Sequence, residues 1–271
     1  MISAESNSAI RKARTRFTLL IALAVLAAGC SPKSSPKLIV GMELAYPPFE
    51  MTDPQGRPTG VSVDLARALG KFLGLEIQIQ NLPFDGLIPS LQTRKIDLII
   101  SSLTATPERA KSIDFSEPYL KTGLCLLVGK KSLIQSIEDV DQPGRTLAVK
   151  LGTTGHAYAR QKINRAKVLV LDQESACVLE VAQGKADAFL YDQMSIFKNW
   201  QRHPDTTQPL LKPFQTESWA IGIRKGNPEL VQKVNAFLKE FRARGGFDEL
   251  GDRYLQEQKR AFRQMDIPFY F

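Results

Sequence analysis

The chain has 271 residues, 43% hydrophobic and 24% charged, with a formal net charge of +8, a balance that excludes a disordered or fibrous protein. The length accommodates one large domain or two of about 100 to 150 residues. With only two histidines and three cysteines there is no clustered metal-ligand motif, and no Lys/Arg block interleaved with aromatics marks a nucleic-acid surface.

Arg11, Lys12, Arg14 and Arg16 precede the uncharged run FTLLIALAVLAA, Phe17 to Ala28. This is a charged segment followed by an apolar one of secretory length, short of the roughly 20 residues that span a bilayer. Leu26-Ala27-Ala28-Gly29-Cys30 resembles the bacterial lipobox, in which the cysteine becomes the lipidated first residue of the mature protein. Residues 1–29 are therefore expected to be a lipoprotein signal peptide. Cys30 would be the lipid-bearing (palmitate) residue, and residues 30–37, with SPKSSPK, a polar tether. Removing the leader takes away three units of positive charge, leaving about +5, a mild excess compatible with solubility or an anionic surface. An uncleaved N-terminal anchor is the alternative. Cys125 and Cys177, each among apolar neighbours, read as two buried free thiols rather than a bridge.

From Lys37, KLIVGME reads as a short strand. VDLARALGKFLG follows as a helix whose stripe is Leu65, Ala66, Leu69, Phe72 and Leu73. LEIQIQN alternates as a second strand, DGLIPSLQTR is helical and IDLIIS is a third strand, giving β-α-β-α-β, a sheet with helices across its faces. After TGLCLLVGKK the pattern restarts: a strand at TLAV, a helix at GHAYARQKIN, a strand at AKVLVLD, a helix at SACVLEVAQGK and a strand at ADAFLY. SWAIGIRKG is strand-like. The closing segment is helical, with Leu230, Val234, Phe237, Leu238 and Phe241 on one stripe and Gly245-Gly246 as its stop. No proline-rich or serine-rich linker separates the two units, so short β connections are expected between them.

Ligand crevices in α/β sheets open at the carboxyl ends of strands. Ser101, Ser102 and Thr104 follow such an end, and Thr106-Pro107 has the form of an N-cap and first helical residue. Arg109 lies in that first turn. Hydroxyls, a guanidinium and unsatisfied N–H groups together make a receptor for a carboxylate; an ordinary capped helix with a solvent-facing arginine fits the same spacing. Gly152, Thr153, Thr154 and Gly155 form a similar edge in the second unit. This edge is either an anion-accepting loop or a plain turn, and it lacks the Gly-Lys-Ser/Thr ending of a phosphate loop. Asp192 ends ADAFLYD either as a helix cap or as a carboxylate for an ammonium group. Tyr46 and Phe84 are pocket walls or core. Glu43 ends the first strand, and Lys150 precedes the glycine loop.

In order along the chain, YPPFE, Gly60 to Ala66, FDGLIPSLQTRKIDLIISSLTATPER, IDFSEPY, VKLGTT, GKADAFLYD and NPELVQKVNAFLKEFRARGGFDEL strongly resemble the family 3 bacterial extracellular solute-binding proteins, amino-acid receptors of ABC importers. The resemblance covers nearly everything after Lys37. It implies an α/β, two-lobe periplasmic-binding-protein-like fold (type II) whose two β crossovers form a hinge. Lobe 1 would span residues 38–124 plus 218–271, and lobe 2 residues 125–217. It further implies that Arg109, Thr104 and backbone N–H groups near Thr154 hold an α-carboxylate, and that Asp192 with groups near Ser102 holds an α-ammonium. Tyr46 and Phe84 would sandwich the side chain. Ser101 and Thr153 belong to the same two edges.

Glu43 and Lys150 correspond to an acidic and a basic residue near the side-chain end in glutamine-binding members, and Tyr191 takes a variable position there. An amide accepts from a lysine and donates to a carboxylate at once, which favours glutamine over a cationic ligand. Glu43 replaces the family aspartate, and Ala105 stands where a larger aliphatic is usual, so a basic ligand such as arginine is the alternative. A lipid-anchored monomeric receptor on the periplasmic side of a bacterial membrane is expected, with a permease and an ATPase as partners and without cofactor, metal, nucleic acid or enzymatic activity. A cyclohexadienyl-dehydratase-like enzyme on the same fold, with Glu43 or Lys150 as acid, and a sensory clamp with another partner are the competing classes.

Overall fold

The computed structural model describes residues 37–267. The expected leader, Cys30, most of the tether and the final PFYF lie outside the described residues. Among the described residues twelve strands form two five-stranded sheets and one small hairpin.

In the first sheet, β1 (Lys37–Met42) lies between β4 (Glu76–Asn81) and β5 (Leu98–Ile99), parallel to both. Antiparallel β12 (Gly222–Arg224) and then β6 (Ile113–Phe115) complete the order β4-β1-β5-β12-β6. The apolar run around β5 is buried throughout: Ile96, Leu98, Ile99 and Ile100 are all fully covered, as expected of a central strand packed on both faces. β2 (Met51–Thr52) and β3 (Pro58–Thr59) pair as the hairpin.

Helix α1 (Val61–Leu73) packs Leu65, Ala66 and Leu69 inward and stops at Gly74 in the left-handed conformation. Each such leucine contributes about 1.5–3 kcal/mol of burial. Phe72 departs from the expected stripe: it is 41% exposed and only tilts against Phe237 at 5.7 Å. A 3-10 turn at Phe84–Gly86 leads into α2 (Leu87–Gln92), and α3 (Pro107–Ala110) is a single capped turn.

The second sheet has the order β11-β7-β10-β8-β9. Its strands are β7 (Leu120–Gly129), β8 (Thr146–Lys150), β9 (Lys167–Leu171), β10 (Ala188–Asp192) and β11 (Thr207–Trp219). Helices α4 (Ile137–Val140), α5 (Thr154–Lys162), α6 (Glu174–Ala182) and α7 (Gln193–Arg202) connect them. Cys125 and Cys177 are buried and free; burial pushes both thiols up, Cys177 to about 12.

β7 and β11 are the two crossovers. They pair antiparallel from Gly129 and Thr207 to Leu120 and Trp219, with a register shift between Leu210 and Gln215. Their far ends are stitched to the first sheet's loops, Ala105 N donating to Ser218 O at 2.9 Å and Ala220 N to Leu103 O at 3.0 Å. Helices α8 (Pro228–Ala243), α9 (Gly246–Tyr254) and α10 (Gln256–Gln264) follow. Val234, Phe237, Leu238 and Phe241 of α8 are buried, Leu230 partly so, and Gly245 at φ 78° makes the expected stop. Helix α10 reaches the second lobe, Phe262 meeting Phe197 edge-on at 5.1 Å. No helix among the described residues is long and apolar enough to cross a membrane.

Candidate functional site

The carboxyl ends of β1 and β5 supply one wall. Glu43 follows β1, and its N–H donates to Ser101 Oγ at 3.0 Å. Tyr46 stacks on Phe49 at 5.5 Å and meets Trp219 edge-on at 6.0 Å. Ser102 occupies the left-handed region at φ 46°, a costly conformation for a residue with a Cβ. Its Oγ donates to Glu50 Oε1 at 2.8 Å, and Ser62 Oγ donates to the same oxygen at 2.5 Å. Glu50 is fully buried, and loss of solvent pushes its carboxyl up to about 8 despite both hydroxyls. Thr106 caps α3 by accepting from Arg109 N at 3.2 Å, with Pro107 in the first helical turn.

The carboxyl ends of β8 and β10 supply the opposite wall. Lys150 is 2% exposed. Gly152 turns the chain at φ 76°, a conformation glycine takes without penalty. Thr153 caps α5 by accepting from His156 N at 3.2 Å. Asp192 Oδ1 caps α7, accepting from Met194 N at 3.0 Å and Ser195 N at 3.1 Å. Desolvation pushes its carboxyl up to about 7, against the opposing effect of its hydrogen bonds.

The walls meet through their polar groups. Tyr46 Oη donates to Asp192 Oδ1 at 2.7 Å. Lys150 Nζ forms a buried ion pair with Glu43 Oε2. The Arg109 guanidinium donates to Thr104 O at 2.7 Å and across the cleft to Gly152 O at 2.9 Å; burial lowers it to about 10. The Phe84 ring lies 5.6 Å from the Arg109 guanidinium carbon and 5.5 Å from Lys150 Nζ, within cation–π range. At the rim Lys198 Nζ donates to Pro47 O at 2.6 Å. The cavity between the walls, open in part to solvent, is about 30 Å³, a narrow space with these polar pairs in contact across it.

The expected residues converge. Glu43, Tyr46, Phe84, Ser101, Ser102, Thr104, Arg109, Thr153, Thr154, Tyr191 and Asp192 line this cavity, and Lys150 stands behind it, paired with Glu43. Asp192 caps α7 and also lines the cavity. Two of the five N–H donors of the Arg109 guanidinium are directed at the backbone carbonyls of Thr104 and Gly152. Leu124, Glu217 and Trp219 also line the cavity and were not anticipated. Glu217 Oε2 accepts from Thr104 Oγ1 at 3.1 Å and Thr154 Oγ1 at 3.0 Å, and burial raises its carboxyl above the usual range. Glu217 lies just before SWAIGIRKG, the segment read as strand-like, and shares a strand face with exposed Gln215 and buried Trp219, so no apolar pattern marks it. Among the described residues no group of three His, Cys, Asp or Glu side chains is placed to hold a metal ion.

The family model of bacterial extracellular solute-binding proteins, family 3, matches residues 38–257. The L-cystine-binding protein TcyJ of Escherichia coli is 31% identical over 219 residues, 80% of this chain and 82% of that protein. The ABC transporter glutamine-binding protein GlnH of Bacillus subtilis is 31% identical over 235 residues, 83% of each. Among solved structures, an ancestral arginine-binding protein bound to arginine superposes with a TM-score of 0.76 at 34% identity, over 82% of this chain and 99% of that one. An ancestral amino-acid-binding protein described as a precursor of cyclohexadienyl dehydratase gives 0.75 at 36% identity, over 81% and 96%. These neighbours share the two-lobe type II architecture, and the chain belongs to family 3 of the bacterial extracellular solute-binding proteins.

Proposed function

We propose that this protein is the receptor of an ABC importer, anchored by a lipid on Cys30 at the periplasmic face of a bacterial membrane, and that it captures a polar α-amino acid, glutamine first among them. Residues 38–124 with 218–271 and residues 125–217 would move as the two lobes about β7 and β11, delivering the ligand to a permease as a monomer. Closure of this kind is a population shift driven by ligand contacts to both lobes.

In this reading Arg109, Thr104 and the N–H groups at Thr154 take the α-carboxylate. Asp192 and Ser102 take the α-ammonium, and Tyr46 and Phe84 flank the side chain. The observation that carries it is the Glu43–Lys150 ion pair, whose carboxylate lines the cavity: an amide inserted between the two donates to the carboxylate and accepts from the ammonium. A basic amino acid is the second reading, favoured by a lining with three carboxylates, Glu43, Asp192 and Glu217, against one guanidinium. A thermal-shift screen of the mature protein against the twenty amino acids, followed by calorimetry, tests both. Glutamine is expected to give the largest shift. Arginine or lysine in that place selects the second reading, and no response to any amino acid sinks the assignment.

A further inference from the structure

Glu217 sits on β11, the strand by which the chain returns from the second lobe to the first. It is 5% exposed. One of its oxygens, Oε2, accepts from Thr104 Oγ1 in the first lobe and from Thr154 Oγ1 in the second. Its other oxygen, Oε1, faces Gln215 Nε2 at 3.3 Å, and the Arg109 guanidinium supplies the nearby positive charge. A hydroxyl has one proton to donate. With both protons directed at Glu217, neither threonine is free to donate to a second carboxylate, and two carboxylates crowded beside one guanidinium repel each other.

We propose that Glu217 is an internal ligand of the carboxylate subsite, linking the lobes through Thr104 and Thr154 so that an incoming α-carboxylate must displace it. The idea rests on the assignment of that subsite made above and deepens it. Glu217 then determines how strongly the receptor discriminates between ligands: only those whose remaining contacts outweigh this displacement bind well. A receptor held in the linked arrangement for 90 to 99% of the time has its apparent affinity lowered by about 10- to 100-fold.

The test uses the full mature protein as wild type, Glu217→Gln and Glu217→Ala, with circular dichroism to verify folding. Glutamine keeps the shape and a weaker acceptor, whereas alanine removes the acceptor altogether. X-ray scattering without amino acid should give a larger radius of gyration in both variants, alanine more than glutamine. Calorimetry with L-glutamine should give affinities about tenfold or more tighter than wild type. Equal radii, or an affinity that is unchanged or weaker in the variants, overturns the proposal; weaker binding would make Glu217 a direct partner of a ligand cation. If none of the three proteins binds any amino acid while the radii still differ, the link between the lobes stands and the ligand assignment falls.

Discussion

The hydroxyl of Tyr46, in the first loop of lobe 1, donates at 2.7 Å to the same Asp192 oxygen that caps helix α7 in lobe 2. Burial and the neighbouring carboxylate raise the tyrosine's proton affinity, so it remains the donor. Asp192 therefore carries a helix cap, an interlobe bond and, in the proposed reading, the ammonium partner. Three variants separate these roles. Asp192→Asn keeps a good cap but removes the charge, and is expected to unfold near the wild-type temperature while binding about 10- to 100-fold more weakly, or about 1.4–2.8 kcal/mol. Asp192→Ala loses the cap as well, about 0.5–2 kcal/mol of stability. Tyr46→Phe keeps cap and charge and loses one hydrogen bond to a charged group, at most about 3 kcal/mol. Calorimetry and thermal unfolding on the three report this; full affinity in Asp192→Asn removes the aspartate from the site.

The Glu43–Lys150 pair couples the end of β1 to the end of β8. Removing one member of a buried pair leaves an uncompensated charge, a loss of about 3–5 kcal/mol where the site stays dry and less where the lobes part and admit water. Lys150→Met is therefore expected to lower the unfolding temperature. It also frees Glu43 for a cation, so the thermal-shift ranking should move from glutamine toward arginine and lysine. An unchanged ranking would take the pair out of side-chain selection.

The positions of these residues were legible in the sequence because they follow from strand ends. Apolar runs terminating at Ile100, Lys150 and Asp192 put the next polar residues at one edge of each sheet, and parallel packing brings the edges together. What those side chains bond to was not legible. Arg109 donates to Gly152 O, 43 residues away in sequence, and no local pattern encodes a partner set by the approach of two lobes. Glu217 and Trp219 enter the cavity from the side of a long strand, where alternation indicates a face but not what lies opposite. Phe72 fell on the apolar stripe of α1 because periodicity cannot tell a core side chain from one at the stripe's edge.

Glu50 gives the fold a pH dependence with a definite sign. Burial pushes its carboxyl to about 8, above its ordinary value of 4.5, so the folded state retains a proton that the unfolded chain releases between those limits. Stability is then full below about pH 4.5 and declines as pH rises toward 8, by up to about 1.4 kcal/mol per unit. Asp192, at about 7 from 3.8, acts with the same sign at lower pH. Lys198, lowered to about 8 by burial, acts only above that window. Glu50→Gln stays neutral and its carbonyl still accepts from Ser62 and Ser102, so urea unfolding at pH 5.5, 6.5 and 7.5 should show a flatter stability profile than wild type. A profile as steep as wild type would mean Glu50 does not hold the proton.

At Gly152 the backbone of one lobe runs close against the other. A Cβ placed on it would lie 2.9 Å from Asp85 Cβ and 3.0 Å from Asp85 Cα, in the turn that carries Phe84. Those atoms belong to or adjoin the backbone and cannot swing aside, so the lobes must stand apart or the loop must distort. The loop presents the carbonyl that Arg109 reaches. Gly152 also lies at φ 76°, where a side chain costs about 1–2 kcal/mol. Gly144 separates the two effects: it has φ 84° and nothing within 4 Å of its Cβ direction. Gly144→Ala is expected to lose stability through backbone strain and keep wild-type affinity. Gly152→Ala should lose similar stability, bind at least tenfold more weakly and scatter X-rays as a more open particle at saturating ligand. Equal affinities in the two variants would show that lobe approach at this loop does not limit capture.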